Sequence, residues 1–293
     1  MLDYHLHLWE HGRQPANVTA ERLAAYWERA QQAGVTEIAV TEHSSRFVEI
    51  SDAVGRFWED DPDSPAAFHD PFARAWDEEG KISLDTYVEA ALEAKRAGVP
   101  IVLGLEVDLF EGKMDRVASV LDHYPFDVLL GSVHWLGAWC YDDPDLSPAY
   151  EREWNVRGIE RAWDEYSRGI EEIAASGAID VLAHADYIKT SGHPRPAIPD
   201  EFYDRIAEAA ASSGIATEVS SSAYEYVDEP YPAPPLLARF RDRGVPVTTA
   251  SDAHDLPDVA HRADDLRKVL DDAGYTELVG FRERRPHPHP ISR

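Results

Sequence analysis

At 293 residues with 44% hydrophobic side chains, the chain can bury a sizeable core, and a single barrel of about 250 residues is within its reach. Lys+Arg 28 against Asp+Glu 55 gives a net charge of −27, which argues against nucleic-acid binding through a basic surface and for solubility or salt adaptation. The single Cys140 makes no internal disulfide, no apolar run reaches the roughly 18 residues that span a bilayer, and the amino terminus enters a strand without a signal segment, so the chain reads as cytoplasmic with no membrane partner.

The first strand, Leu2 to Leu8, carries His5 and His7 in an apolar run. Alternation along a strand points both rings to one face, where two imidazoles can grip one metal ion. After a loop from His11 to Ala16, Thr19 is placed to cap a helix running to Ala33, with Leu23, Tyr26, Trp27 and Ala30 on one face and Gly34 as its stop. The strand Thr36 to Thr41 then runs into Glu42-His43-Ser44. A helix between two strands is the βαβ pattern.

Residues 45–81 interrupt this rhythm. Asp60-Asp61-Pro62-Asp63 is turn chemistry, yet Phe47, Phe57, Trp58, Phe68, Phe72 and Trp76 are too apolar for a plain linker, so the insertion reads as a lid beside a site or as an excursion packed on the barrel. The alternation resumes with a helix over 83–97, the strand Ile101 to Asp108, a short helix over 114–124 and the strand Asp127 to His134. A helix over 155–176 precedes Ile179 to Ala183, which ends in His184-Ala185-Asp186. Another over 200–213 precedes Ile215 to Ser220, with Ser221 and Ser222 at its end. A last pair, about 235–243 and 245–250, delivers Ser251-Asp252-Ala253-His254 before a terminal helix over 257–273. Seven strands alternate with helices without a dividing linker, which predicts one domain over 1–280 and a flexible Pro/His-rich tail over 281–293.

Catalytic groups of such barrels sit at the C-terminal ends of the strands. His43, Glu106, His134, His184 and Asp252 with His254 occupy those ends, and with His5 and His7 they form a nitrogen and oxygen donor set suited to Zn, Mn or Fe rather than Ca. A lone strand-end histidine is commonly a hydrogen-bonded structural residue. Glu106 inside the apolar run Ile101 to Leu109 is harder to dismiss, because a buried carboxylate needs a partner charge or a metal.

Taken in order, His5-Leu6-His7, Thr41-Glu42-His43, Gly104-Leu105-Glu106-Val107-Asp108, Ser132-Val133-His134, His184 and Ser251-Asp252-Ala253-His254 resemble the polymerase and histidinol phosphatase (PHP) superfamily over residues 2 to about 275. The resemblance implies an α/β fold, a distorted seven-stranded (β/α)7 barrel, with three divalent transition-metal ions at the strand ends. By it, His5, His7, Glu106 and Asp252 hold one ion, Glu106 bridges to a second held by His134 and His184, and a third takes His43, His254 and His11. The loop carrying His11 is shortened relative to the related phosphatases, which bears on that last ligand.

Glu42-His43 with the aromatic insertion, together with the Gly-Leu-Glu-Val-Asp and Ser-Val-His motifs, most resembles the stand-alone histidinol-phosphate phosphatases of histidine biosynthesis. That likeness implies a phosphomonoesterase for a small-molecule substrate, L-histidinol phosphate, attacked by metal-bound hydroxide without a phosphoenzyme. Glu106, Asp252 and His254 count as catalytic. Arg46 and Lys189 are candidates for the phosphate, and Asp186 or Glu42 for the imidazole and amine. Another PHP hydrolase acting on diesters or nucleotides, or a non-catalytic metal-bound domain, are the alternatives. The remaining histidines, His69, His123, His193, His261, His287 and His289, read as surface or tail residues.

Overall fold

Runs of apolar strand separated by amphipathic helices wind a sheet whose strands all point one way. The computed structural model describes residues 1–10, 18–60, 62, 64–79, 81–197 and 199–291. β1 (Leu2–Asp3) is followed by α1 (Ala20–Gln32), β2 (Glu37–Val40), α2 (Val48–Val54), α3 (Phe57–Asp60), α4 (Ala66–Glu78), α5 (Leu84–Arg96) and β3 (Ile101–Asp108). Then come α6 (Met114–Leu121), β4 (Val128–Ser132), α7 (Tyr150–Arg157), α8 (Ile159–Ala175) and β5 (Val181–Leu182). α9 (Asp200–Ser213), β6 (Ala216–Ser220), α10 (Pro234–Asp242), β7 (Val247–Ala250) and α11 (Ala263–Ala273) complete the alternation, and β8 (Glu277–Arg282) and β9 (Arg285–Pro290) end the described chain.

β1 to β7 lie side by side in chain order, each parallel to the next. The extended residues after β1 close the ring. Tyr4 N donates to Thr249 O at 2.9 Å and His7 N to Ala253 O at 2.8 Å on one side, while Leu6 O accepts from Thr41 N at 2.9 Å on the other. The outcome is the expected distorted seven-stranded barrel, although the regular ladder of the first strand stops at Asp3, short of the expected Leu8. Leu6 N bonds to the Thr41 hydroxyl at 3.1 Å instead of a backbone carbonyl, which breaks the repeat.

Two expected helices are shorter than their patterns. Gly158, at φ 73°, splits the expected 155–176 helix into α7 and α8, because a left-handed residue cannot continue either. Ala260 and Arg262, at φ 64° and 54°, delay α11 to Ala263 in the same way. The expected flexible tail is the largest correction. Residues 285–290 pair antiparallel with β8, and the hairpin is tied to the barrel by Phe281 N to Tyr4 Oη at 2.8 Å and Arg284 N to Asp127 O at 2.9 Å. Pro286, Pro288 and Pro290 lack N–H groups, yet alternate positions of an edge strand need none toward solvent.

The described part of the 45–81 insertion carries α2, α3 and α4 and packs its aromatics on the loops after β3 and β4. The Phe57 ring lies 5.2 Å from Phe110 and 5.8 Å from Trp135, and Phe72 lies 5.5 Å from Trp135. These edge-on and tilted contacts fix the insertion beside the C-terminal ends of the strands.

Candidate metal centre

Burying several imidazoles side by side is costly unless something satisfies them. His5 and His7 do share a face, with ring centroids 5.0 Å apart, and every expected ligand among the described residues joins them in one cluster. Glu106 is its hub: its oxygens lie 2.6 Å from His43 Nδ1, 3.0 Å from His184 Nε2, 3.3 Å from His5 Nε2 and 3.4 Å from His134 Nε2. Asp252 Oδ1 is 3.2 Å from His7 Nε2 and 3.6 Å from His5 Nε2. His254 Nε2 stands 3.5 Å from His43 Nε2.

Donor atoms close enough to share an ion occur as His5, His7 and Glu106, as Glu106, His134 and His184, and as His7, His43 and His254. His184 and Asp252 have positive φ, 21° and 57°, at the ends of their strands. Such backbone, unfavourable for a residue with a β-carbon, persists where the surroundings impose it, commonly at functional sites. His11 lies outside the described residues.

The far nitrogens of these rings meet carboxylates that sequence reading gave no such role. His5 Nδ1 is 3.0 Å from Glu218 Oε2, His7 Nδ1 is 3.2 Å from Glu42 Oε1, and His134 Nδ1 is 2.8 Å from Asp108 Oδ1. Each carboxylate is anchored in turn: Glu218 accepts from His184 N at 2.8 Å, Asp108 from Ser44 Oγ at 2.8 Å, and Glu42 from Arg46 at 2.5 Å and Leu8 N at 3.0 Å. This pattern fixes ring orientation in metal sites. Glu218 was detectable by the criterion that singled out Glu106, a carboxylate within the apolar stretch Ile215 to Val219.

The inner atoms test the fit to metal ions. His5 Nε2, His7 Nε2 and Glu106 Oε2 are buried without a hydrogen bond of acceptable geometry, so close approach has not become ordinary pairing. Burial opposes every charge here, yet the His43, His5 and His134 imidazoles hold Glu106 well below the usual carboxylate range. Against the same burial penalty, Asp252, Glu218 and Glu106 raise the His5 pKa well above that of an ordinary imidazole, and Glu106 with Asp108 lifts His134 to about 9. Burial is likewise overcome at Glu42, which Arg46 and His7 bring down to about 2. The carboxylates therefore favour positive charge at His5, His7 and His134, whereas burial and the His7 imidazole push His43 well down and His254 to about 4. Divalent cations with imidazole and carboxylate donors supply that charge and saturate the inner atoms.

The cluster opens into a cleft of about 1030 Å³, walled by the insertion on one side and by the loops after β4, β6 and β7 on others. Arg46 lines it, but its guanidinium is already taken by Glu42, by Glu79 at 2.7 Å and by the Trp9 carbonyl at 3.0 Å. Lys189 and Asp186 do not line it. They form a sealed pair at 3.2 Å, with Lys189 also donating to Pro230 O at 2.5 Å and Asp186 accepting from Ala233 N at 2.9 Å, so both are structural rather than substrate-facing. Their place just beyond a strand-end histidine suggested the cleft, but the short helical turn Tyr187–Thr190 carries both side chains inward.

Glu42 is spent on His7 and Arg46. Ser222 reaches the cleft, whereas Ser221 donates to His261 O at 2.7 Å. His261, read from sequence as a surface residue, is exposed on the cleft wall. Cys140 also lines the cleft, its thiol pushed well up by burial and by Asp142 and Asp143, which makes it a poor nucleophile. Among the described residues, no helix is long and apolar enough to cross a membrane.

The family model of the PHP domain matches residues 4–222. A relative named as the probable histidinol-phosphatase of Deinococcus radiodurans is 34% identical over 229 residues, covering 75% of this chain and 85% of that protein. The fold is shared with the histidinol phosphate phosphatase of Lactococcus lactis subsp. lactis Il1403, a crystal structure complexed with Zn, L-histidinol and phosphate, at TM-score 0.67 and 19% identity over 98% of each chain. It is shared too with the hisK protein of Listeria monocytogenes, at TM-score 0.69 and 16% identity over 90% of this chain and 99% of that one.

Proposed function

The chain belongs to the PHP domain family, and from that premise we propose that it hydrolyses L-histidinol phosphate to L-histidinol and orthophosphate with divalent metal ions at the strand ends. The observation that carries the proposal is Glu106, which meets two groups of imidazoles at once at the floor of an open cleft. The name of the Deinococcus relative and the ligands of the Lactococcus structure support the substrate. In this reading three ions, of Zn, Mn or Fe, are held by His5, His7, Glu106 and Asp252, by Glu106, His134 and His184, and by His43 and His254 with His11. The step belongs to histidine biosynthesis in the cytoplasm, and the insertion serves as a lid over the cleft it lines.

Bound divalent ions make water acidic enough to act as a nucleophile at neutral pH and offset the charge of a phosphoryl group in transfer. The chain's own residues do the rest. Glu218, Glu42 and Asp108 hold His5, His7 and His134 with Nε2 turned inward. Phe72, Trp76 and Trp135 keep one wall of the cleft apolar, which limits water around the reacting group. Carboxylates lining the cleft, among them Asp142, Glu225 and Asp255, suit the cationic amine of histidinol.

The test is a substrate panel on metal-reconstituted protein. The value of kcat/KM for L-histidinol phosphate is expected to exceed that for p-nitrophenyl phosphate by about 100-fold or more. A higher value for bis(p-nitrophenyl) phosphate would transfer the chain to diester hydrolysis, and no turnover of any ester with ions bound would leave a non-catalytic domain.

A further inference from the structure

The cleft poses an electrostatic problem for an anionic substrate. Glu10, Glu78, Glu79, Asp142, Asp143 and Glu225 are among the residues that line it, and a phosphoryl group arrives with negative charge of its own. Among the described residues of the lining, the lysine and arginine side chains are Arg46 and Lys81. The guanidinium of Arg46 is engaged by two carboxylates and a carbonyl, as described above, and also stacks at 5.1 Å over Trp9. Its charge is spent inside the protein.

Lys81 differs. It ends the insertion, just before α5, and is half-buried on the cleft wall. Its Nζ donates to Ser45 O at 2.9 Å and rides 4.2 Å from the centre of the Trp76 ring. No carboxylate among the described residues pairs with it, and an ammonium has three N–H donors, of which Ser45 takes one. Burial lowers its pKa from the usual lysine range, partly offset by Glu79, Asp77 and Asp108.

Its place relative to the metal ligands is defined by short contacts. Ser45 lies two residues beyond His43, and its N–H donates to Asp108 Oδ2 at 3.3 Å. The other oxygen of Asp108 is 2.8 Å from His134 Nδ1. Lys81, Ser45, Asp108 and His134 all face the same cleft.

We propose that Lys81 is the substrate-binding cation of this site, donating from the insertion to the non-bridging oxygens of the phosphoryl group while the strand-end ligands face it from the barrel. The assignment rests on the phosphomonoesterase reading above. It gives the insertion a chemical part in the site, because the charge that offsets the acidic lining is delivered from its C-terminal end.

Lys81→Met, Lys81→Gln and Lys81→Arg test this against wild type, all reconstituted with Mn2+, through hydrolysis of L-histidinol phosphate and competitive inhibition by orthophosphate. For Met and Gln, kcat/KM is expected to fall about 10- to 100-fold and orthophosphate inhibition to weaken by a similar factor, with Arg recovering most of both. Glutamine keeps a donor for Ser45 O, so it carries the test if the methionine variant misfolds. Orthophosphate inhibition within about twofold of wild type in a folded variant overturns the assignment even if turnover falls, since a tie that only holds Ser45 does not touch the product. A wild type that cleaves no phosphomonoester defeats the parent reading instead.

Discussion

Glu106 and Lys189 are both charged side chains sealed inside the barrel, each with no exposed surface. Lys189 is answered on the spot: Asp186 at 3.2 Å, Glu229 at 3.3 Å, the Pro230 carbonyl at 2.5 Å and the Tyr231 ring at 4.8 Å enclose its ammonium. Glu106 is surrounded more densely still, by imidazoles from four other strand ends, yet its Oε2 and the Nε2 atoms of His5 and His7 lack hydrogen bonds of acceptable geometry. Lys189 is a buried charge answered by opposite charge and a carbonyl, although Asp186 Oδ1 and Glu229 Oε1 beside it also lack hydrogen bonds. What sets Glu106 apart is that its partners are convergent imidazoles, donors of the kind that suit a divalent ion.

Three substitutions sharpen this contrast, in descending order of their effect on turnover. Glu106→Gln removes the shared charge from two candidate ion positions, so turnover is expected to fall by more than about 100-fold, beyond the range usual for residues behind the ligands. Elemental analysis should find fewer ions on the folded variant. Retention of more than about a tenth of wild-type activity would remove Glu106 from the centre of the site.

Glu218→Gln leaves the inner donors in place and weakens only the support of His5 and His184. Metal affinity is expected to drop about 10- to 100-fold, with turnover recovering as metal is raised. Chelator titration measures this directly, and an unchanged curve would mean that Glu218 does not orient the ligand.

Lys189→Met should leave kcat/KM and bound metal unchanged while costing about 3 kcal/mol or more of stability in urea denaturation, because Asp186 is left buried without its cation. Loss of turnover in the folded variant would return Lys189 to the substrate site. The effect also has a pH signature. Burial lowers the Lys189 pKa to about 8, against the pull of Asp186, whereas an unfolded lysine titrates near about 10.4. The unfolded state binds more protons between those values, so wild-type stability should rise relative to Lys189→Met as pH increases from about 8 to about 10. A flat difference across that window would show that Lys189 is not titrating as a buried cation.

Much of the site was legible because barrel topology converts distance along the chain into proximity. His5, His43, Glu106, His134, His184 and Asp252 are scattered over some 250 positions, yet each ends or adjoins a strand, and parallel strands wound in order bring those ends to one rim. The side-chain pairings behind the rim were not legible in this way. Asp108, Glu42 and Glu218 meet their rings across different strands, and their sequence environments do not say which ring nitrogen each one meets.

Periodicity alone was enough to read the alternation of strand and helix, and residue types at strand ends to read a candidate donor set, whereas the closed barrel was what the family resemblance implied. The sequence also pointed to the aromatic insertion as something more than a linker. Which cations are already paired with carboxylates follows from packing in three dimensions. Arg46, Lys81 and Lys189 all sit in connecting segments, but Glu42 and Glu79 absorb the first, Asp186 and Glu229 absorb the third, and Lys81 alone of the three has no carboxylate partner among the described residues. The physical reason is that a side chain's charge is allotted by three-dimensional neighbours. The same cause governs the carboxyl-terminal hairpin: a Pro/His composition that suggests a flexible tail becomes an ordered edge strand once β8 offers it a register and the barrel offers it Tyr4 and Asp127.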